Sequence, residues 1–120
     1  ENVDHERFEQ EILIPLSKHE DVKLCKFNCS TMSIEHAILI PYKPFNIIEG
    51  SYSMHSSLQK YYDFSVFLTV NKDEQIERLR KRNPKMLNNF IQQWIPLEEA
   101  YFNTFSIQDK CDIQINTSKA

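Results

Sequence analysis

Two groups of charged side chains are spaced for phosphate chemistry. Glu49 follows the apolar pair Ile47–Ile48 and precedes Gly50, the only glycine of the chain. A carboxylate at the end of a buried strand can hold a magnesium ion, which in turn binds phosphate oxygens. Arg78 and Arg82 are four residues apart and share one face of a predicted helix, where two guanidinium groups can bracket a polyphosphate. The sequence therefore predicts a site for a phosphate-bearing ligand.

Both groups also have a purely structural interpretation. A glutamate at a strand end can face solvent or pair with a lysine. The two arginines belong to the charged run from Glu77 to Arg82, and a solvated helix face that pairs with Glu74 and Glu77 would explain them as well. Arg80 is predicted to lie on a different face of this helix.

A second set of candidates could bind a substrate. Asp4 precedes a predicted helix, and an exposed carboxylate there can accept hydrogen bonds from a ribose or another diol. Plain capping of the helix N-terminus is the alternative. Tyr52 and His55 follow Gly50 closely, and we expect them to line the same cleft as Glu49.

The first elements that position these residues follow from hydrophobic periodicity. Apolar residues recur every four positions from Asp4 to about Leu16, which predicts an amphipathic helix that Pro15 kinks or ends. Alternating residues predict a strand over Val22–Asn28, followed by a polar turn over Cys29–His36 and a short apolar run over Ala37–Ile40.

The middle of the chain predicts a βαβ unit. Ile47–Ile48 is its first strand, His55–Tyr62 is a two-turn helix, and Phe64–Val70 is a parallel strand buried on both faces.

The last part of the chain predicts two helices and a strand. Lys72–Arg82 is a charged helix that Asn83–Pro84 interrupts, and Met86–Phe105 is a second helix that kinks or restarts at Pro96. Asp112–Ile115 alternates as a final strand. This alternation of strands and helices predicts the α/β class, with a sheet covered on both faces.

Length and composition narrow the class of protein. The 120 residues suit one domain, and the net charge of −3 argues against a non-specific nucleic-acid binder. One glycine is too few for a glycine-rich phosphate loop within these residues. No apolar run approaches the roughly 18 residues of a membrane span. With no leader at the start, the chain is expected to be cytoplasmic and to have no membrane partner.

The first residue and the cysteines support two further expectations. A start at Glu1 rather than Met predicts a trimmed chain or a piece of a longer protein. An odd number of cysteines, Cys25, Cys29 and Cys111, predicts reduced thiols in the absence of a secretion signal. Their spacing does not match a zinc knuckle.

Six short segments occur in an order that carries a family resemblance. They are Asp4–Phe8, Ile47–Ser53, Tyr62–Leu68, Arg78–Asn83, Trp94–Glu98 and Lys110–Ile113. Together they resemble the uridine kinase-like branch of the P-loop NTP-dependent kinases.

The resemblance implies a parallel sheet of the P-loop kinase type, with a helical lid at about residues 72–95. It implies transfer of the γ-phosphoryl group of ATP, with Mg²⁺, to a substrate hydroxyl, which in the namesake enzymes belongs to uridine or cytidine. Asp4 then holds the ribose, and Glu49 is the glutamate associated with magnesium. Arg78 and Arg82 approach the phosphates. His55 is matched loosely to a substrate-side residue.

The sequence departs from the family pattern in ways that leave alternatives open. The G-x-x-x-x-G-K-[ST] loop of the family does not occur in these residues, so the chain alone is not expected to bind ATP tightly or turn over. Asn83 stands where an Asp is common, which leaves the identity of the substrate open.

Two alternatives to the kinase remain. One is a non-catalytic P-loop-derived binding or regulatory module, and the other is a structural piece without a ligand. Unpaired sheet edges would favour self-association.

Overall fold

The computed structural model describes residues 4–28 and 33–119, which form a mixed α/β fold. The chain divides into two compact units, Glu1–Tyr62 and Asp63–Ala120. In the described residues, each unit contains one two-stranded sheet. The α/β class predicted from the sequence is confirmed, whereas the single domain over residues 1–120 stays a prediction.

The first unit begins with a helix that runs in three parts. Asp4 caps it, because its side chain accepts a hydrogen bond of 3.0 Å from the backbone amide of Arg7. The predicted helix and its cap are therefore confirmed. Its parts are α1 (His5–Phe8), a π-helical turn (Glu9–Leu13) and α2 (Ile14–Ser17).

Both prolines that the sequence places inside helices follow a π-helical turn. Pro15 is the second residue of α2, and Pro96 is the second residue of a later helix, directly after the π-helical turn Phe90–Trp94. Proline lacks an amide hydrogen, and its ring collides with the carbonyl four residues back in a regular α-helix. A π-helical turn widens the backbone at that carbonyl, so the helix continues past the proline.

An antiparallel hairpin completes the regular structure of the first unit. Strand β1 (Val22–Asn28) pairs with β2 (Ser33–Ile40), so that Val22 lies opposite Ile40 and Asn28 opposite Ser33. The strand predicted over Val22–Asn28 is confirmed. The predicted turn over Cys29–His36 is wrong from Ser33 onward, and its first four residues lie outside the described part of the chain.

The strand predicted at Ile47–Ile48 is not present. Pro41 to Gly50 belong to neither a helix nor a strand, and Ile47 is 78% exposed. A pair of β-branched residues has a strand preference only on a pleated surface beside a partner strand, and this stretch pairs with no strand within residues 4–28 and 33–119. The predicted βαβ unit is wrong for the same reason, and His55–Tyr62 forms turns that end in a 3₁₀ turn at Gln59–Tyr61.

The second unit contains a parallel strand pair. Strand β3 (Val66–Thr69) pairs with β4 (Ile113–Asn116), with Val66 opposite Ile113 and Leu68 opposite Ile115. Both strands were predicted, but burial of the first on both faces is wrong, because Val66 and Leu68 are exposed. The predicted coverage of the sheet on both faces is also wrong, because all four residues of β4 are exposed. The ring of Phe67 in β3 packs edge-on against the ring of Phe102, with their centroids 5.1 Å apart.

Helices and turns connect the two parallel strands. The predicted helices and the break at Asn83–Pro84 are confirmed. In the described residues none of the helices is long and apolar enough to cross a membrane. The helical elements are α3 (Lys72–Arg82), a 3₁₀ turn (Pro84–Met86), α4 (Leu87–Asn89), the π-helical turn, α5 (Ile95–Thr104) and α6 (Ile107–Lys110).

A small set of apolar residues is buried in each unit. Leu58 is the most deeply buried of the described side chains, with 1% of its surface exposed. Cys111 is buried and free, as the sequence predicts, and burial raises the pKa of its thiol. The buried apolar residues are Leu13, Val22 and Leu58 in the first unit and Ile95, Ile107 and Cys111 in the second.

The core of the first unit can be tested at Leu58. We expect Leu58→Ala to lower the free energy of unfolding by about 2–5 kcal/mol, because it removes buried methyl groups and leaves a cavity. Leu39→Ala is the matched control, since Leu39 in the same unit is 62% exposed. Chemical denaturation measures both variants. Equal losses would contradict the placement of Leu58 in the core.

Candidate functional site

Asp4 is exposed at the N-terminus of α1. Its carboxylate accepts the hydrogen bond from the Arg7 amide, so the capping role that sequence analysis offered as the alternative is present. A carboxylate has room for about four hydrogen bonds. The cap therefore leaves this carboxylate accessible to the hydroxyl groups of a ligand.

The ring of His55 stacks on the ring of His5. The ring centroids lie 4.0 Å apart, and the two planes are inclined by 15°. This contact joins the turns after Gly50 to the first residue of α1, next to Asp4. The structure thus places His55 against His5, the residue that follows Asp4, and both Asp4 and His55 were predicted for the substrate side.

The hydrogen bonds of His55 fix the role of one ring nitrogen. The amide of Ser57 donates to Nδ1 of His55 at 3.2 Å, and the Ser57 hydroxyl lies 2.8 Å from the same atom. An amide N–H can only donate, so Nδ1 is an acceptor and the ring proton is assigned to Nε2. In this tautomer His55 offers one N–H donor, at Nε2.

Glu9 and Tyr61 tether the same turns to the helix at a second point. The Tyr61 hydroxyl donates to Oε2 of Glu9 at 2.5 Å, and Nζ of Lys60 lies 3.6 Å from that oxygen. The hydrogen bond from Tyr61, aided by the charge of Lys60, lowers the pKa of the Glu9 carboxyl. The same bond raises the pKa of the Tyr61 hydroxyl, because it stabilises the protonated phenol.

Gly50 and Tyr62 shape the turns themselves. Gly50 has φ +149°, a conformation that favours glycine, and its carbonyl accepts from the amide and the hydroxyl of Ser53. The Tyr62 hydroxyl donates to the Ser53 carbonyl at 2.7 Å, and burial raises the pKa of Tyr62 to about 12. These bonds hold residues 50–62 in one shape beside α1. Tyr52 lies half-buried within these turns.

Glu49 is exposed immediately before Gly50. The strand end that was expected to position it is absent, so Glu49 stands in irregular backbone. In the described part of the chain, no cluster of three His, Cys, Asp or Glu side chains could hold a metal ion. Glu49 therefore fits magnesium only as a single carboxylate, with the other ligands supplied by phosphate and water.

Arg78 lies in the second unit, where α3 meets the end of the chain. One terminal nitrogen donates to the Thr117 carbonyl at 2.6 Å, and the other donates to the Thr117 hydroxyl at 3.2 Å. The guanidinium also pairs with Glu74 at 3.3 Å. The predicted pairing with Glu74 is present, together with a contact to Thr117 that the sequence did not indicate.

Arg80 and Arg82 have different partners from Arg78. Arg82 lies over the ring of Phe90, with 5.9 Å from the guanidinium carbon to the ring centroid. Arg80 pairs with Glu77 at 3.4 Å. Arg78 and Arg82 occupy one helix, as predicted, but in this structure each guanidinium already has a partner within the second unit.

Sequence reasoning did not identify Glu9, Tyr61 or Thr117. Glu9 is four residues after His5 and so shares its helix face, which is a signal that could have been used. Tyr61 is 52 positions from Glu9, and Thr117 is 39 positions from Arg78. A single sequence has no pattern that reports pairs at such separations.

Comparison with known proteins does not assign this sequence to a family. No model of a known protein family matches this sequence. A search of curated proteins gives no match either. The uridine kinase-like resemblance therefore rests on the six sequence segments.

The tether between Glu9 and Tyr61 predicts a dependence of stability on pH. Folding lowers the pKa of Glu9, so the tether stabilises the fold above the ordinary value of 4.5 and is lost as the pH falls below it. We expect Tyr61→Phe to lose less stability than the wild type between pH 7 and pH 3, because the variant lacks this bond at both pH values. Chemical denaturation across that range measures the difference.

Tyr62→Phe is the matched control for this experiment. It removes a neighbouring hydroxyl whose partner is a backbone carbonyl, so its acid-side pH dependence should follow the wild type. Carboxyl NMR should also show the pKa of Glu9 rising in Tyr61→Phe. An unchanged pKa of Glu9 in that variant would contradict the tether.

Proposed function

We propose that this chain provides the acceptor site and the lid of an ATP-dependent phosphotransferase of the uridine kinase-like type. The proposed reaction transfers the γ-phosphoryl group of ATP to a hydroxyl of a small molecule, with a nucleoside as the favoured class. The observation that carries the proposal is the stack of His5 on His55, because it joins two regions that the resemblance assigns independently to the substrate.

The acceptor would bind at the N-terminus of α1. The exposed carboxylate of Asp4 can accept hydrogen bonds from the two hydroxyls of a ribose, each worth about 1.5–3 kcal/mol because the acceptor is charged. The Nε2–H of His55 is a donor suited to a carbonyl oxygen of a pyrimidine base. Tyr52 stands in the same turns, where its ring can border the bound nucleoside.

The phosphate side of the proposal uses α3. Arg78 and Arg82 lie on one helix in a region that corresponds to the proposed lid, and their guanidinium groups can stabilise charge on the transferring phosphoryl group. ATP bound with Mg²⁺ would supply that group, with Glu49 as one carboxylate ligand. The parallel pairing of β3 with β4 supports the finer fold that we propose, a P-loop kinase-like sheet with a helical lid.

The acceptor site can be tested with a variant that keeps the helix cap. Serine caps a helix about as well as aspartate, so Asp4→Ser should leave the melting temperature unchanged while it removes the carboxylate. We expect the wild type to bind uridine saturably in calorimetry and Asp4→Ser to bind it at least tenfold more weakly. Uridine binding by Asp4→Ser at the wild-type level would contradict the assigned role of Asp4.

Two controls separate recognition of the sugar from general effects. Asp4→Ala should lose about 1 kcal/mol of stability as well as binding, because it removes the cap. 2′-Deoxyuridine should bind wild-type protein more weakly than uridine, since it lacks one hydroxyl of the diol. If the wild type discriminates between these nucleosides and Asp4→Ser does not, the carboxylate reads the sugar.

The coding sequence upstream of Glu1 distinguishes the kinase from a non-catalytic binding module. A G-x-x-x-x-G-K-[ST] segment there supports the kinase, because such a loop cradles the phosphates of ATP. A start codon directly before Glu1, together with nucleoside binding, favours the module. A chain that binds neither uridine nor ATP–Mg²⁺ contradicts both.

A further inference from the structure

Residues 117–119 continue β4 past the carboxyl end of β3, and we refer to them as the C-terminal strap. β3 ends at Thr69 and β4 ends at Asn116. The amide and the hydroxyl of Thr117 both donate to the Thr69 carbonyl, at 2.7 and 2.8 Å. Open α/β sheets bind ligands beyond the carboxyl ends of their strands. The strap therefore occupies the place where a ligand of this sheet would approach.

The strap is also fastened to the first turns of α3. The amide of Asn71, which precedes α3, donates to the Ser118 hydroxyl at 2.6 Å. The amide of Lys119 donates to the two carboxylate oxygens of Glu74 at 2.9 and 3.2 Å. The Glu74 carboxylate therefore contacts both the strap, through the Lys119 amide, and the guanidinium group of Arg78.

The strap engages Arg78 through the groups that would bind a phosphate. Both terminal nitrogens of Arg78 donate to Thr117, and one of them also pairs with Glu74. A guanidinium group binds a phosphate by directing the same fork of N–H donors at two oxygens. A phosphate and the strap therefore compete for one side chain.

The surface around Arg78 has as many carboxylates as cations, and one of the cations, Lys119, belongs to the strap. A shallow depression of about 360 Å³ lies beside it, lined by three carboxylates and three cations, so its formal charge is balanced. The lining residues are Asp73, Glu74, Glu77, Arg78, Lys81 and Lys119.

We propose that the C-terminal strap is an internal competitor that regulates access of a polyphosphate to Arg78. This inference rests on the proposed function, since that function places Arg78 on the phosphate side. A bound polyphosphate displaces the Thr117 carbonyl and hydroxyl from the guanidinium, and the Lys119 amide leaves Glu74. Release of the strap raises the affinity of α3 for the anion.

A matched pair of variants at Lys119 tests the strap. Lys119→Pro removes the amide hydrogen that Glu74 accepts, whereas Lys119→Ala keeps it, and both lose the same side-chain charge. With tripolyphosphate as the probe in calorimetry, we expect Lys119→Pro to bind at least threefold more tightly than Lys119→Ala. Adding Arg78→Ala to Lys119→Pro should abolish that gain. Thr117→Val, which removes the hydroxyl contacts but keeps the shape, should also increase the affinity.

Hydrogen exchange gives an independent readout on the wild-type chain. Tripolyphosphate should accelerate exchange of the Lys119 amide, because this amide leaves its acceptor, the Glu74 carboxylate. Equal affinities of Lys119→Pro and Lys119→Ala, with binding that still depends on Arg78, would overturn the strap and leave the proposed function standing. Absence of tripolyphosphate binding in every variant would overturn both the strap and the phosphate role of Arg78. The dependence of uridine binding on Asp4 separately tests the acceptor site.

Discussion

The arrangement of the first unit depends on the stacking of two imidazole rings. His5 and His55 are 50 positions apart in the chain, yet their rings lie 4.0 Å from each other. The Ser57 amide orients the ring of His55 for this contact, because it donates to Nδ1 of that ring. A contact between aromatic rings of two distant segments thus fixes where the turns after Gly50 meet the helix.

The elements with a local signal could be predicted, and those that depend on distant partners could not. Hydrophobic periodicity predicted three elements: the helix that begins at His5, the strand β1 and the helix α3. In each of them the whole pattern lies within the segment itself. Ile47–Ile48 has the composition of a strand but pairs with no strand in the part of the chain that the structure describes, and composition does not indicate whether a partner strand is present. The site divides in the same way: the Asp4 cap is a local feature, whereas the bond from Tyr61 to Glu9 joins distant segments.

The arginines of α3 show how similar residues acquire different surroundings. In the sequence, Arg78, Arg80 and Arg82 form one basic run. In the structure, the first binds the Thr117 carbonyl, the second pairs with Glu77 and the third lies over the Phe90 ring. Spacing alone placed Arg78 and Arg82 on one face, but the strand pairing of β3 with β4 is what delivers Thr117 to the first of them. The chemistry available to each arginine is therefore set by the sheet as much as by the helix.

The widened turn at Glu9–Leu13 determines how this helix responds to a change in its length. Such a turn contains one residue more than the regular spiral needs. A deletion of one position there would restore ordinary spacing and would leave His5 and Asp4 at nearly the same angular position, because the widened turn absorbs the extra residue. The deletion would, however, bring the ring of Pro15 against the carbonyl four residues before it. The surplus residue is therefore what makes a proline compatible with this helix.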